Sequence, residues 1–553
     1  MAAFFDKHKV TLDKAVETIR SRGYWSAYPE MPSGKIYGET AKGDQEEAFK
    51  ALLGKPFEID QPSTGERVGH EISPYGLDLG VSYPETTPDL AVAAASTAMK
   101  GWGSASAEAR AGVLLEMLAR INALSFLFAN AVMHTSGQAF MMAFQAGGPH
   151  AQDRGLEAIA YAYDEMSRIP GSVRWEKPQG PKEPLVLDKV FRIVPRGPAL
   201  VIGCATFPTW NSYPGLFASL ATGNPVIVKP HPAAILPLAL TVRIGREVLV
   251  EAGFDPNVLQ LAADTAEKPL TKEFVTHPDV AIIDFTGSPA FGAWVRENAK
   301  GKLVYTEEAG VNSIVVTGTD TLRGMTGNIG FSLSLYSGQM CTAPQNIYVP
   351  RDGIETDDGH KTFDEVAQAI ATAVDKLLGD PQRAAGVLGA VQSEATLARV
   401  AAAHGLGKVL RESAPVEGMD GARSATPLIL AVDARDESAY LEERFGPISF
   451  IIATDGVDDA IARAAGSART HGAITAALYA TDEAVIDKAA DAFADAGVAL
   501  SVNLTGGIFV NQSAAYSDYH VTGANPAGNA CLCDSAFVAN RFRVAAMRRP
   551  VAA

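Results

Sequence analysis

Cysteine is scarce in this chain. Only Cys204, Cys341, Cys531 and Cys533 occur among 553 residues. Four thiols so scattered cannot staple a disulfide framework, and they suit a reducing compartment. Cys531 and Cys533 stand close together, but no His or Cys pair lies near them to complete a zinc site, so no metal is expected. Positive charge is also short: 47 Lys and Arg face 63 Asp and Glu, for a net charge of −16. Non-specific binding to nucleic acid or to an anionic membrane needs the opposite field, and neither partner is expected. Long apolar runs are missing. The most apolar helix-like stretch, 121–133, is too short to cross a bilayer and follows Arg120. The N-terminus turns charged at Asp6-Lys7-His8-Lys9 before a signal peptide could form. Elimination leaves a cytoplasmic protein as the expectation.

What is present is globular in composition, 47% hydrophobic and 20% charged, and too long for one ordinary core, so two or three domains are expected. Residues 6–53 read as charged helices broken at Tyr28-Pro29 and Pro32-Ser33-Gly34. Turn chemistry follows at Gln61-Pro62-Ser63-Thr64-Gly65, then a short strand at 68–73. Helical periodicity covers 87–100, 107–135 and 151–169. From 199 the pattern changes. Apolar runs at 199–204, 225–229, 258–261 and 280–285 alternate with helix-like stretches at 215–221 and 236–252. That alternation predicts a parallel, doubly wound α/β sheet, in which ligands bind at the carboxyl ends of the strands. Three polar turns fall there, at 206–211, 229–232 and 285–288. A second alternating region, 311–502, reads as a second α/β domain, with runs at 347–349, 450–453 and 476–479 and a helix at 363–378.

Cys341 stands near the start of that second region, in Ser337-Gly338-Gln339-Met340-Cys341-Thr342-Ala343, downstream of Glu307. Its neighbours have little bulk to shield a thiol, and a carboxylate in reach can take up a proton or activate water. A buried structural thiol is the alternative, and these residues alone leave both open.

Other segments bear on the choice. Trp210-Asn211 precedes Pro214, Gly223-Asn224-Pro225-Val226-Ile227-Val228-Lys229-Pro230 ends an apolar run in Lys-Pro, and Phe285-Thr286-Gly287-Ser288 is followed by Gly292. Glu442-Glu443-Arg444-Phe445-Gly446-Pro447 comes after Glu307 and Cys341. Taken in this order, the segments resemble those of the aldehyde dehydrogenase superfamily from about Gln61 onward. The resemblance implies an α/β fold of that type, with two doubly wound α/β domains and a β oligomerisation arm. It divides the chain into an N-terminal helical extension (1–60), an NAD(P)-binding domain (61–182 and 195–310), a catalytic domain (311–510), and an arm with a C-terminal tail (183–194 and 511–553). An exposed arm edge needs pairing, so a homodimer or homotetramer is expected.

The resemblance also implies roles. Cys341 attacks an aldehyde, and the Asn211 amide with the Cys341 N–H holds the resulting oxyanion. Glu307 activates the water that hydrolyses the thioester. Lys229 reaches the adenosine ribose, and Gly287, Ser288 and Gly292 admit the pyrophosphate at a helix start. Glu443 takes the nicotinamide ribose, Phe445 lies beside the ring, and Trp210 belongs with these cofactor contacts.

Departures sharpen the reading. Pro232 stands where many NAD-preferring members carry Glu, so NADP is the expected cofactor, with NAD possible. Glu308 and Val311 replace the usual Leu and Lys; Glu307 is taken as the base because Ala309-Gly310 then falls on the family's paired glycines. The ending at 521–529, the Glu-Glu-Ala-Gly-Val-Asn-Ser core and the long extension resemble the PaaN-type branch of phenylacetate degradation. That branch implies a CoA-linked semialdehyde oxidised to a carboxylate. Arg541, Arg543, Arg548 and Arg549 form a basic cluster that could neutralise CoA phosphates, or a solvated surface or oligomer contact. Two rivals remain: a CoA-acylating dehydrogenase, which a retained Glu307 disfavours, and a catalytically silent subunit.

Overall fold

The computed structural model describes residues 2–308, 310–532 and 534–551, so Ala309 and Cys533 lie outside the described residues. Short, mostly apolar strands suit a sheet buried on both faces. Leu259–Leu261, Val226–Lys229, Ala199–Ile202, Ile282–Gly287 and Leu303–Glu308 form such a sheet in that spatial order, with every pair parallel. Seven strands form the second sheet: Lys408–Arg411, Leu428–Asp433, Ile448–Thr454, Asn346–Pro350, Ser313–Val316, Thr475–Tyr479 and Ala499–Val502. Only its first pair is antiparallel. The helix Phe363–Leu378 has the bounds its periodicity predicts, set at the start by a capping box between Thr362 and Glu365.

Several expectations change. Residues 206–211 are a turn only as far as Phe207, because the helix Pro208–Ala221 begins there. Proline's fixed φ and missing N–H suit the first helical position, so Trp210 and Asn211 ride on a buried first turn. The helix expected over 107–135 is two, Ala107–Ala123 and Ser125–Ser136, bent by 75°. Among the described residues no single helix is long and apolar enough to cross a membrane. The strand expected at 68–73 shrinks to Arg67–Val68.

The antiparallel arm is the hairpin Ser172–Gln179 and Lys182–Pro195, joined by Phe542–Pro550. It therefore begins at 172 rather than 183. Residues 511–530 lie outside the arm sheet, and their end runs beside Leu303–Glu308: Glu308 N–H donates to Ala527 O at 2.6 Å, and Thr306 N–H to Asn529 Oδ1 at 2.7 Å.

Arg541 also moves out of its expected setting. It is fully buried, its guanidinium donates to both Asp284 oxygens at 2.7 and 2.6 Å, and Tyr305 and Phe537 pack on its faces. A bidentate partner in the core holds this arginine, so only Arg543, Arg548 and Arg549 remain on the exposed strand.

The extension is part of the core as well. Helix Ala2–Ser21 lies against Ala107–Ala123 and Ala151–Ser167, burying Leu12, Ala15 and Ile19.

Candidate active site

Cys341 follows three consecutive residues with left-handed backbone: Tyr336 and Ser337 at φ 51° and Gly338 at φ 63°. For the two that are not glycine this costs about 1–3 kcal/mol each, and it persists only where the surroundings over-determine it. Here they do. The Tyr336 hydroxyl donates to Ser136 O, and Ser337 Oγ to Leu388 O at 3.1 Å. Gln339 donates to Ala390 O at 3.1 Å and accepts from Gln392 N–H at 2.8 Å. A Cβ on Gly338 would stand 2.4 Å from Gly446 O, so this loop presses against the 442–447 segment. Asn312 Nδ2 fixes the Cys341 carbonyl at 2.7 Å while its Oδ1 accepts from Ile474 and Thr475 N–H.

Glu307 is 2% exposed and points toward Cys341. Alternation along Leu303–Glu308 sends Glu308 to the other face, where it pairs with Arg296 beneath Gly292. Asn211 Nδ2 donates to both Glu307 oxygens at 3.0 Å, and Asn211 Oδ1 accepts from the Cys204 thiol at 3.6 Å. A further residue completes the group. His520, 4% exposed, lies with Nε2 2.9 Å from Glu307 Oε1 and 3.7 Å from Cys341 Sγ. One donor atom from each of Glu307, Cys341 and His520 falls within 4.8 Å of the others.

The electrostatics follow from this packing. Burial, and then the Glu307 carboxylate, hold the Cys341 thiol well above its ordinary range. Burial alone would raise Glu307 too. His520, the cysteine and the Asn211 amide outweigh it, and the carboxyl ends below its usual value. Burial pushes Cys204 up to about 11, so it stays a thiol.

His520 belongs to an irregular segment held by tertiary bonds. Glu157 Oε1 accepts from Tyr516 N–H at 2.7 Å, and Arg154 donates to Ser513 Oγ at 2.6 Å. The N-terminal extension grips the same segment: Arg22 donates to Ser517 O at 3.1 Å and lies 4.0 Å over the Tyr519 ring, while Trp25 packs on Tyr516. Arg22 itself sits at φ 59°, the left-handed end of its helix. Trp210, expected among the cofactor contacts, packs edge-on to His520 with ring centroids 4.6 Å apart, and Arg154 covers the indole.

Lys229, Gly287 and Ser288, expected at the cofactor, stand at the carboxyl end of the five-stranded sheet. Ser288 caps the helix Pro289–Asn298 by accepting from Phe291 N–H, so a helix N-terminus opens beside Gly287. Gly287 is pinned by the Phe285 ring, which a Cβ would meet at 2.6 Å. That helix end suits a pyrophosphate. Lys229 is buried and donates to Pro230 O at 2.6 Å and Asp264 Oδ1 at 2.7 Å. Pro232 offers no carboxylate at this strand end, while Asp264 is buried against Lys229 as its ion-pair partner. Burial draws Lys229 down and Asp264 up, against their mutual attraction. Glu443 is half-buried on the loop against Cys341, and burial pushes it up to about 8 despite Arg399. Arg399 holds that loop through the Phe445 carbonyl at 2.5 Å.

Comparison with known proteins gives a consistent result. The model of the aldehyde dehydrogenase family matches residues 81–518. The chain is similar to an N-succinylglutamate 5-semialdehyde dehydrogenase of Burkholderia mallei, 28% identical over 448 residues, 79% of this chain and 84% of the relative. The crystal structure of an NAD-dependent aldehyde dehydrogenase from Burkholderia multivorans superimposes with a TM-score of 0.98 at 58% identity, covering 100% of this chain and 99% of that one. A 1-pyrroline-5-carboxylate dehydrogenase of Thermus thermophilus shares the fold at 19% identity, with a TM-score of 0.75 over 96% and 99% of the two chains.

Proposed function

Since the chain belongs to the aldehyde dehydrogenase family, we propose that this enzyme oxidises an aldehyde to a carboxylate through a Cys341 thioester hydrolysed with the help of Glu307. The observation that carries the reading is the convergence of Cys341, Glu307 and Asn211 in one buried group. In the free protein the Asn211 amide is committed to Glu307, so the carboxylate must withdraw before that amide can hold an oxyanion on the thiohemiacetal. The amide then stabilises the developing charge, an effect of about 2.7–4 kcal/mol for one such donor. When bound, the nicotinamide dinucleotide supplies the two-electron acceptor. Glu307, held ionised, takes a proton from the water that attacks the thioester. A carboxylate so placed favours hydrolysis over transfer of the acyl group to CoA. It also speaks against a silent subunit.

The residues at the sheet end fit a dinucleotide, with a capped helix N-terminus beside Gly287 and the Lys229–Asp264 pair, and the loop against Cys341 adds Glu443 and Phe445. We read the cofactor as NAD rather than NADP. A carboxylate at the strand end repels a 2′-phosphate, and the 58% identical neighbour is described as NAD-dependent. For the substrate, the 521–529 ending and the extension support a CoA-linked semialdehyde from aromatic-ring degradation. Arg541 no longer contributes to that argument, because it is spent on Asp284. The curated relatives at 28% identity are named for a different semialdehyde.

The test is nicotinamide reduction with NAD and NADP in parallel, using CoA-linked semialdehydes, N-succinylglutamate 5-semialdehyde and simple aldehydes, beside Cys341→Ala. Turnover that the substitution abolishes supports the reading, and the best aldehyde names the substrate class. Turnover surviving without Cys341, or none with any aldehyde, refutes it.

A further inference from the structure

His520 has no part in the scheme above, yet it touches both reacting side chains. Its Nε2 lies between Glu307 Oε1 and Cys341 Sγ, at 2.9 and 3.7 Å. Its Nδ1 is buried without a hydrogen-bond partner among the described residues. Few buried ring nitrogens are left so, because an unpaired polar atom costs about 1–3 kcal/mol. The ring is also held from several sides at once, by Trp210 and by the segment that Glu157, Arg154 and Arg22 fix in place.

We propose that His520 is a third catalytic residue, the cation that allows the Cys341 thiolate and the Glu307 carboxylate to exist side by side. The proposal rests on the cysteine mechanism above and adds to it the origin of the nucleophile. An ionised Glu307 only accepts, so Nε2 carries its hydrogen toward Oε1, and Nδ1 is the place left for another proton. Among the described residues no protein group fixes Nδ1 as donor or acceptor. As Cys341 gives its thiol proton to solvent, the ring takes one from solvent at Nδ1. Sγ becomes a thiolate, the ring a cation, Glu307 stays a carboxylate, and the three groups keep a net charge of −1. Without the ring, the thiolate would form against an ionised carboxylate, or would require Glu307 to be protonated and lost as a base. The titratable groups facing this cluster are Glu307 and Cys341 themselves, with Cys204 and Glu443 beyond them and Arg154 on the far face of Trp210.

The test uses the free enzyme, without substrate or cofactor. The rate at which iodoacetamide modifies the Cys341 peptide is followed by mass spectrometry from pH 5 to 10, in wild type, His520→Gln and His520→Phe, with chelator present throughout. Each variant is checked for its fold by circular dichroism. The expected result is a rate profile displaced to higher pH in both variants, with modification at pH 7 slower by about tenfold. Superimposable profiles in a folded variant would overturn the proposal. Because the readout needs no turnover, a failed aldehyde panel and a failed alkylation shift point to different errors.

Discussion

Two buried charge clusters stand on neighbouring strands of the five-stranded sheet, and both are closed by the C-terminal part of the chain. Asp284, on Ile282–Gly287, meets Arg541; Glu307, on Leu303–Glu308, meets His520. The strands pair Thr286 with Glu307, so the clusters are separated by little more than one strand spacing and a short step along it. They differ in what is left over. The Arg541 guanidinium engages both Asp284 oxygens, Ser219 and the Phe537 carbonyl, and two aromatic rings cover it. At Glu307 the carboxylate is crowded by donors, while a ring nitrogen and a thiol remain unsettled. A closed cluster maintains structure, whereas an open one retains a proton it can move.

That contrast predicts opposite costs. Between the two carboxylates, the larger change in activity should come from Glu307→Gln. Loss of the base is expected to lower the turnover rate by about 10²–10⁴ with little shift in the urea unfolding midpoint. A comparable loss of stability with activity intact would reverse the assignment. Arg541→Met should do the converse, removing about 3–5 kcal/mol of stability by leaving Asp284 buried and unpaired. Urea titration checks this, and Arg541→Met combined with Asp284→Leu should recover most of the loss.

The Lys229–Asp264 pair shows which kind it is by the ligand it serves. Asp264→Ser should tighten NADP binding by about tenfold, ~1.4 kcal/mol, with NAD binding little changed, as read by titration calorimetry. No change would make the pair purely structural. A pH-dependent case is Asp153, where the extension is fastened through Ser26 and the Ala27 N–H. Burial pushes this carboxyl up to about 7, against those hydrogen bonds. The folded chain then keeps a proton that the unfolded chain releases near pH 4, so this contribution to stability is full at acid pH and is lost as pH rises from about 4 to about 7. Asp153→Asn should flatten the unfolding midpoint over that window.

Periodicity and motif spacing made the regular parts of the molecule legible before any geometry. Four strands of the five-stranded sheet, three of the seven-stranded one and the helix Phe363–Leu378 follow from apolar runs, and Cys341, Glu307 and Asn211 from segments that resemble a known family; the strand Leu303–Glu308, with its polar second half, gave no such run. His520 could not be read this way. It lies in a segment without period or motif, and its position is set by single bonds from Glu157, Arg154 and Arg22, far away in sequence. Arg541 misled for a related reason, since a basic run near a terminus gives no sign that one member turns inward. The Lys229–Asp264 pair was equally hidden, because it joins the ends of two neighbouring strands 35 residues apart in sequence.

Asp284 and Arg541 are separated by 257 residues. A ribosome adding about 5–20 residues per second delivers the arginine about 13–50 s after the aspartate. During that interval Asp284 has no guanidinium to meet it, and the five-stranded sheet waits to close around the pair.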